Sequence, residues 1–299
     1  MENKEKKFTV STSPHFRSKD STTGIMLNVI IALLPALIAS VFIFGFRSLT
    51  VTAVAVASCV FFEYISRKIM KRENTISDLS AVVTGMLLAF NLPASMPLWM
   101  VVIGSAVAII VVKQFFGGIG QNFVNPALVG RIVLMASFPT AISSWVSPSK
   151  ADAVTSATPL VPLSKMFTDG NISNDILANT DNLPSLLDMF IGQRQGCLGE
   201  VCAVALIIGG IYLVVRKIIS PVIPLVYVGT VALIMLIAGK GNLQFVAYEI
   251  LGGGLLLGAI FMATDYTTSP VTFKGKIIFA LGCGIITSLI RLFGSLPEG

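Results

Sequence analysis

The chain has 299 residues, 54% hydrophobic and only 12% charged, with mean hydropathy +0.85 and net charge +6. About a quarter of a soluble domain's residues are charged, so burial on this scale takes lipid or a very large assembly, and lipid is the simpler answer. A single histidine, His15, excludes a haem held by two axial histidines of this chain. Four scattered cysteines form neither a zinc set nor a cluster-ligand run.

Residues 1–23 form a polar arm carrying Lys4, Lys6, Lys7, Arg17 and Lys19, which is not the profile of a cleavable signal peptide. Apolar segments follow at 25–44, 51–65, 79–92, 98–112 and 126–138. The first approaches the ~20 residues that cross a ~30 Å hydrocarbon core, and Pro35 is placed to kink it. A basic loop, Arg67-Lys68-Ile69-Met70-Lys71-Arg72, separates the second segment from the third. The third is short and ends at Asn91-Leu92-Pro93. The fourth leads through Lys113 into Gly117-Gly118-Ile119-Gly120. After the fifth comes the longest polar interval, 140–199, and then segments at 201–215, 221–238, 246–262 and 277–292. The expected fold class is an all-α integral membrane protein with nine visible spans.

Positive charges test that count. With the arm in the cytoplasm, fourteen of the 21 Lys and Arg residues fall inside, six fall outside, and Arg131 lies within a span. This bias obeys the positive-inside rule and puts 140–199 on the outer face. It also accounts for the net charge without nucleic acid.

The chain contains an internal similarity. Gly85-Met86-Leu87-Leu88-Ala89-Phe90-Asn91 resembles Gly254-Leu255-Leu256-Leu257-Gly258-Ala259-Ile260. After a turn, each continues into a span ending in a basic residue, an apolar pair and glycine: Val112-Lys113-Gln114-Phe115-Phe116-Gly117 and Ile290-Arg291-Leu292-Phe293-Gly294. The third span runs outward and the eighth inward, which is the pattern of an inverted repeat. The expected plan is five plus five helices, with a first repeat over 24–139 and a second over 200–299. The second copy reaches Leu296-Pro297-Glu298-Gly299 where a tenth helix is expected.

Several residues could carry chemistry. Asp152-Ala153-Val154-Thr155-Ser156-Ala157-Thr158-Pro159-Leu160 offers three hydroxyls in the outer interval. Such a cluster is commonly a polar turn, and a hydroxyl there could also carry a phosphate ester. Arg131 either faces a partner or cavity, as an intramembrane charge must, or snorkels to the inner interface. Asn125-Pro126 reads as an N-cap followed by proline at the first helical position, and Asn122 stands one turn earlier. An amide pair at a helix end could also bind the polar edge of a ring. Asp265 could cap the loop after the eighth span or help bind a cation. Gly252, Gly253 and Gly254 suit a close helix approach. Cys197 and Cys202 read as two ordinary thiols before a disulfide or half-cluster. No Walker, Rossmann or triad pattern appears.

Three stretches together resemble the NqrB/RnfD family of membrane flavoproteins: Gly117 through Arg131, Met262 through Thr272, and Asp152 through Leu160. The resemblance runs along nearly the whole chain in the right order, and the short N-terminal arm is similar to the RnfD branch. It implies FMN on the last Thr of an Asp-x-x-(Ser/Thr)-(Gly)-Ala-Thr pattern, through a phosphoester. Here that residue is Thr158, with Asp152, Thr155 and Ala157 in place and Ser156 where glycine is usual. It implies a noncovalent riboflavin touched by Asn122 and Asn125, with Arg131 and Asp265 in the same motifs. It further implies a prokaryotic cell membrane, partner subunits RnfA, RnfB, RnfC, RnfE and RnfG, a flavin transferase for maturation, and translocation of Na⁺ or H⁺ coupled to electron flow between ferredoxin and NAD. The rival readings are the B subunit of a Na⁺-translocating NADH:quinone reductase and a flavin-free inverted-repeat channel or transporter.

Overall fold

The computed structural model describes residues 21–145, 160–168, 183–200 and 202–294, and no strand occurs among them. Helix α1 (Thr22–Phe44) starts at Ser21, whose Oγ accepts from Gly24 N, and runs through Pro35 without ending. Gly45, at φ 75, reverses the chain into α2 (Phe46–Ile69). A 3₁₀ turn (Ile76–Asp78) precedes α3 (Ser80–Phe90). Helix α4 (Leu98–Ala106) continues as a π-helix over Val107–Gln114, and α5 (Pro126–Ser137) abuts the short α6 (Pro139–Ile142). Two short helices, α7 (Leu160–Thr168) and α8 (Leu186–Ile191), belong to the polar interval. The second half holds α9 (Ala203–Val215), α10 (Val222–Ala238), α11 (Leu243–Leu251), α12 (Leu255–Leu257, continuing as a π-helix over Gly258–Met262) and α13 (Phe273–Phe293).

This is a multi-pass membrane protein. Helices α1, α2 and α13 are long and apolar enough to cross a bilayer, and five shorter apolar helices pack with them. The largest departure from the sequence expectation concerns the eighth span. A single segment over 246–262 is expected; the chain instead breaks at Gly252–Gly254, and the two pieces meet at 65°. A break within lipid strands backbone carbonyls, which must be satisfied inside the protein. Arg291 does this. Its guanidinium donates to the carbonyls of Glu249 and Gly252, the latter at 3.1 Å.

The main apolar core gathers Leu33 of α1, Val51 and Ala55 of α2, Leu88 and Phe90 of α3, and Leu206 and Leu257 of the second half. A second cluster joins Leu160 and Leu163 of α7 to Met235, Phe245 and Leu292. The two halves interlock where α1 crosses α9. A Cβ added at Gly209 would lie 2.2 Å from the Ala32 carbonyl oxygen, and Tyr212 Oη donates to Asn28 Oδ1 at 2.7 Å beside it. Since backbone faces backbone, the helices must separate to admit a methyl group. Gly209→Ala is therefore expected to cost ~1–3 kcal/mol, as overpacking does. Gly229→Ala, where an added Cβ meets nothing within 4 Å, serves as the neutral control. Thermal unfolding of the two variants in one detergent checks the difference; equal melting temperatures would refute the close crossing.

Candidate functional site

The loop between α4 and α5 carries the predicted amide pair. Asn125 caps α5 as expected: its Oδ1 accepts from Ala127 N at 3.0 Å, and Pro126 takes the first helical position. Asn122 Nδ2 donates to the Val124 carbonyl at 3.1 Å, folding the loop on itself. Both side chains are buried. Asp265 caps its own loop, accepting from Thr267 Oγ1 at 2.9 Å. Among the described residues no group of His, Cys, Asp or Glu is suited to hold a metal ion.

These three residues share one cavity of about 410 Å³, whose wall also includes Ser80, Lys113 and Thr264. Apolar side chains, Met26, Val83, Leu87 and Phe261 among them, supply the rest. This composition, mostly apolar with a few convergent polar groups, is that of a small-molecule site. Asn125 Oδ1 is spent on the cap, so its amide N–H groups remain for an occupant.

Arg131 is not in that cavity and does not snorkel to an interface. Its Nη1 donates to Asn91 Oδ1 at 2.9 Å and to Glu200 Oε1 at 3.0 Å. Of the two readings open in the sequence, the partnered one holds. The pair bridges the halves. The stretch ending at Glu200 lies against the end of α3, with Leu198 N donating to Leu92 O at 3.0 Å and Gly199 N to Phe90 O at 2.9 Å. A Cβ at Gly254 would sit 2.8 Å from Glu200 Oε1, so the glycine lets the carboxylate reach Arg131. The glycines at 252–254, expected to suit a close helix approach, instead form the helix break: Gly253 takes φ 60, and Gly252 and Gly254 make room for the Leu160 side chain and the Glu200 carboxylate. Asn91, Asn125, Arg131, Tyr227 and Arg291 line a second cavity of about 460 Å³.

Two more buried ion pairs occur, each with its cation in the last turn of a helix. Lys113 Nζ lies 2.8 Å from Glu63 Oε2 and 2.6 Å from Ser80 Oγ. Gln114 Nε2 also reaches Glu63, at 3.1 Å. Both side chains leave the π-helix Val107–Gln114 and converge on that one carboxylate. In the other half, Arg291 Nη1 lies 3.2 Å from Glu249 Oε2. Four cations counted as loop charges in the sequence, Arg67, Lys113, Arg194 and Arg291, are in fact buried.

The sequence reading missed Glu63, Asn91, Glu200 and Glu249. Two of them did leave a signal. Glu63 in Cys59-Val60-Phe61-Phe62-Glu63-Tyr64-Ile65 and Glu249 in Val246-Ala247-Tyr248-Glu249-Ile250-Leu251 are lone charges in apolar runs, as Arg131 is. The predicted attachment stretch, Asp152, Thr155, Ser156, Ala157 and Thr158, lies outside the described residues. Leu160, just beyond it, is fully buried, and its side chain is within reach of Gly252 at the helix break. Cys197 is a buried thiol facing the Asn91 carbonyl, and no disulfide forms among the described residues.

The model of the NQR2, RnfD, RnfE family matches residues 9–299. The chain belongs to that family. Among relatives, it is 48% identical over 297 residues to the D subunit of the Na⁺-translocating ferredoxin:NAD⁺ oxidoreductase complex of Acetobacterium woodii, covering 99% of this chain and 88% of the relative. It is 43% identical over 298 residues to the D subunit of the proton-translocating ferredoxin:NAD⁺ oxidoreductase complex of Clostridium ljungdahlii, covering 98% and 88%. It is 34% identical over 331 residues to the D subunit of the ion-translocating oxidoreductase complex of Actinobacillus succinogenes, covering 98% and 91%. Family membership thus agrees with the resemblance carried by the Gly117–Arg131 and Met262–Thr272 motifs.

Proposed function

We propose that this protein is the D subunit of an Rnf-type ion-translocating ferredoxin:NAD oxidoreductase and carries electrons within the membrane. The observation that carries this is the near full-length identity to two D subunits of such complexes, 48% and 43%. One of those relatives is named for Na⁺ and the other for protons, so the reading covers either ion. Its partners would be the other subunits of such a complex, RnfA, RnfB, RnfC, RnfE and RnfG.

Two flavins belong to the reading. FMN is attached to Thr158 by a flavin transferase, within the Asp152–Ala157 context. Support comes from the neighbouring helix α7: Leu160 and Leu163 are pinned in the second core cluster, so a group on Thr158 would be tethered close to the bundle. Riboflavin, noncovalent, fits the 410 Å³ cavity, where Asn122 and Asn125 supply amides to a flat polar edge. Bound flavin would supply one- and two-electron chemistry; this chain binds it, orients it and excludes water. The test is a denaturing gel of protein made with a flavin transferase. Flavin fluorescence should stay with the band, while riboflavin is released; a dark band would sink the covalent assignment.

The architecture we infer is an inverted repeat of five plus five helices. Its support is that the cation ending each similar stretch, Lys113 in one and Arg291 in the other, is buried against a glutamate, although Glu63 and Glu249 themselves stand at non-equivalent positions. The orientation we infer keeps the N-terminus in the cytoplasm. Removing the four buried cations from the count still leaves twelve charges inside and four outside. A cysteine replacing Lys165 is expected to react with an impermeant thiol reagent from outside; labelling only after lysis would reverse the topology.

A further inference from the structure

The two repeat-matched cations meet their glutamates differently. Arg291 holds the Glu249 carboxylate and two carbonyls of the broken helix, which is a structural task. Lys113 has three ammonium donors. Two go to Glu63 Oε2 and Ser80 Oγ. The side chain is 3% exposed and yet forms part of the wall of the 410 Å³ cavity, so the residue borders that space with one donor beyond those two bonds.

The cluster around Lys113 is not closed by its own bonds. Gln114 is fully buried, and its Oε1 has no hydrogen-bond partner; the same is true of Asp78 Oδ2. A self-contained structural pair would leave no such acceptors. Two carboxylates act on the ammonium, Glu63 directly and Asp78 through Ser80 at 2.5 Å, and a third, Asp265, stands on the same cavity wall. Arg67, one turn beyond Glu63 on α2, donates to the Glu73 carbonyl and leaves the carboxylate to Lys113 and its neighbours.

We propose that Lys113 is a ligand-binding residue of this cavity. Its third N–H and its charge hold the carbonyl edge of an isoalloxazine ring, and hold the reduced ring more tightly than the oxidised one. The proposal rests on the riboflavin reading of the cavity. Two-electron reduction, with one proton taken from solvent, adds one negative charge at the ring. An opposite charge at hydrogen-bond range in a buried site shifts such equilibria by about one to three powers of ten. Glu63 tempers the effect from the far side of Nζ.

The experiment uses the full chain in detergent, with riboflavin as the probe and dithionite as the electron donor, in a spectroelectrochemical titration. Lys113→Met is expected to lower the preference for reduced riboflavin about tenfold, equivalent to about 30 mV for a two-electron couple. Glu63→Gln, which removes the tempering charge, is expected to raise it. Lys113→Arg restores most of the wild-type preference. The opposite signs separate binding from structural support, because loss of a staple would shift both variants alike or neither. If Lys113→Met does not fold, the direction of the Glu63→Gln shift decides. Wild-type protein that binds no riboflavin would sink the cavity reading and this proposal with it. Bound riboflavin whose preference is unmoved in the variants would sink this proposal alone.

Discussion

Thr158→Val is expected to abolish all flavin fluorescence retained by the denatured band. The effect is all-or-none because a covalent ester either forms or does not. Valine keeps the branched shape of threonine and removes only the hydroxyl that would bear the phosphate. Thr155→Val should keep some or all of the fluorescence, since Thr155 belongs to the recognition context and not to the bond. Thr158→Ser retains a hydroxyl at the same position and separates chemistry from shape. Noncovalent flavin does not confuse the readout, because denaturation releases it. Retained fluorescence in Thr158→Val would move the attachment to Thr155 or Ser156, the neighbouring hydroxyls.

Glu200→Ala is expected to destabilise the protein by about 3–5 kcal/mol. The Glu200 carboxylate is 1% exposed and lies 3.0 Å from Arg131 Nη1. Removing it takes the anion from a guanidinium that sits between the halves of the bundle. It also opens a gap against Gly254. The double change Glu200→Leu with Arg131→Met removes both charges and should recover part of the loss, since a buried pair is far costlier to break than to replace. Buried Cys59 and Cys197 supply the assay: a thiol-reactive fluorophore reports their exposure during a thermal ramp. A Glu200→Ala melt within about 0.5 kcal/mol of wild type, the ordinary range of a surface substitution, would show that the pair holds nothing together.

The two outcomes test different levels of the molecule. The Thr158 result concerns a short motif read directly from residue order. The Glu200 result concerns a contact between residues 69 positions apart, which no local pattern announces. The same division runs through the site. Asn125 and Pro126 were legible because capping is local: the side chain reaches a backbone N–H two residues on. Asp265 was legible for the same reason. Arg131 was legible as a charge in an apolar run, but its partner was not. Nor were the breaks in helical geometry. Val107–Gln114 and Gly258–Met262 are apolar runs of ordinary composition, and nothing in their residue order marks them as π-helical.

Residue order alone establishes that this is an all-helical membrane protein, where most of its helices lie, and to which family it belongs. Lipid imposes these outcomes locally: an unbroken helix satisfies its own backbone polar groups, so a long apolar run is most simply a helix. The destination of the charges emerges only in three dimensions. Lys113 and Arg291, which the sequence places among loop charges, turn inward to Glu63 and Glu249, and Arg131 meets Glu200 across the two halves. The reason is physical. An intramembrane charge is tolerable only with a partner, and the partner is chosen by how helices distant in sequence pack together.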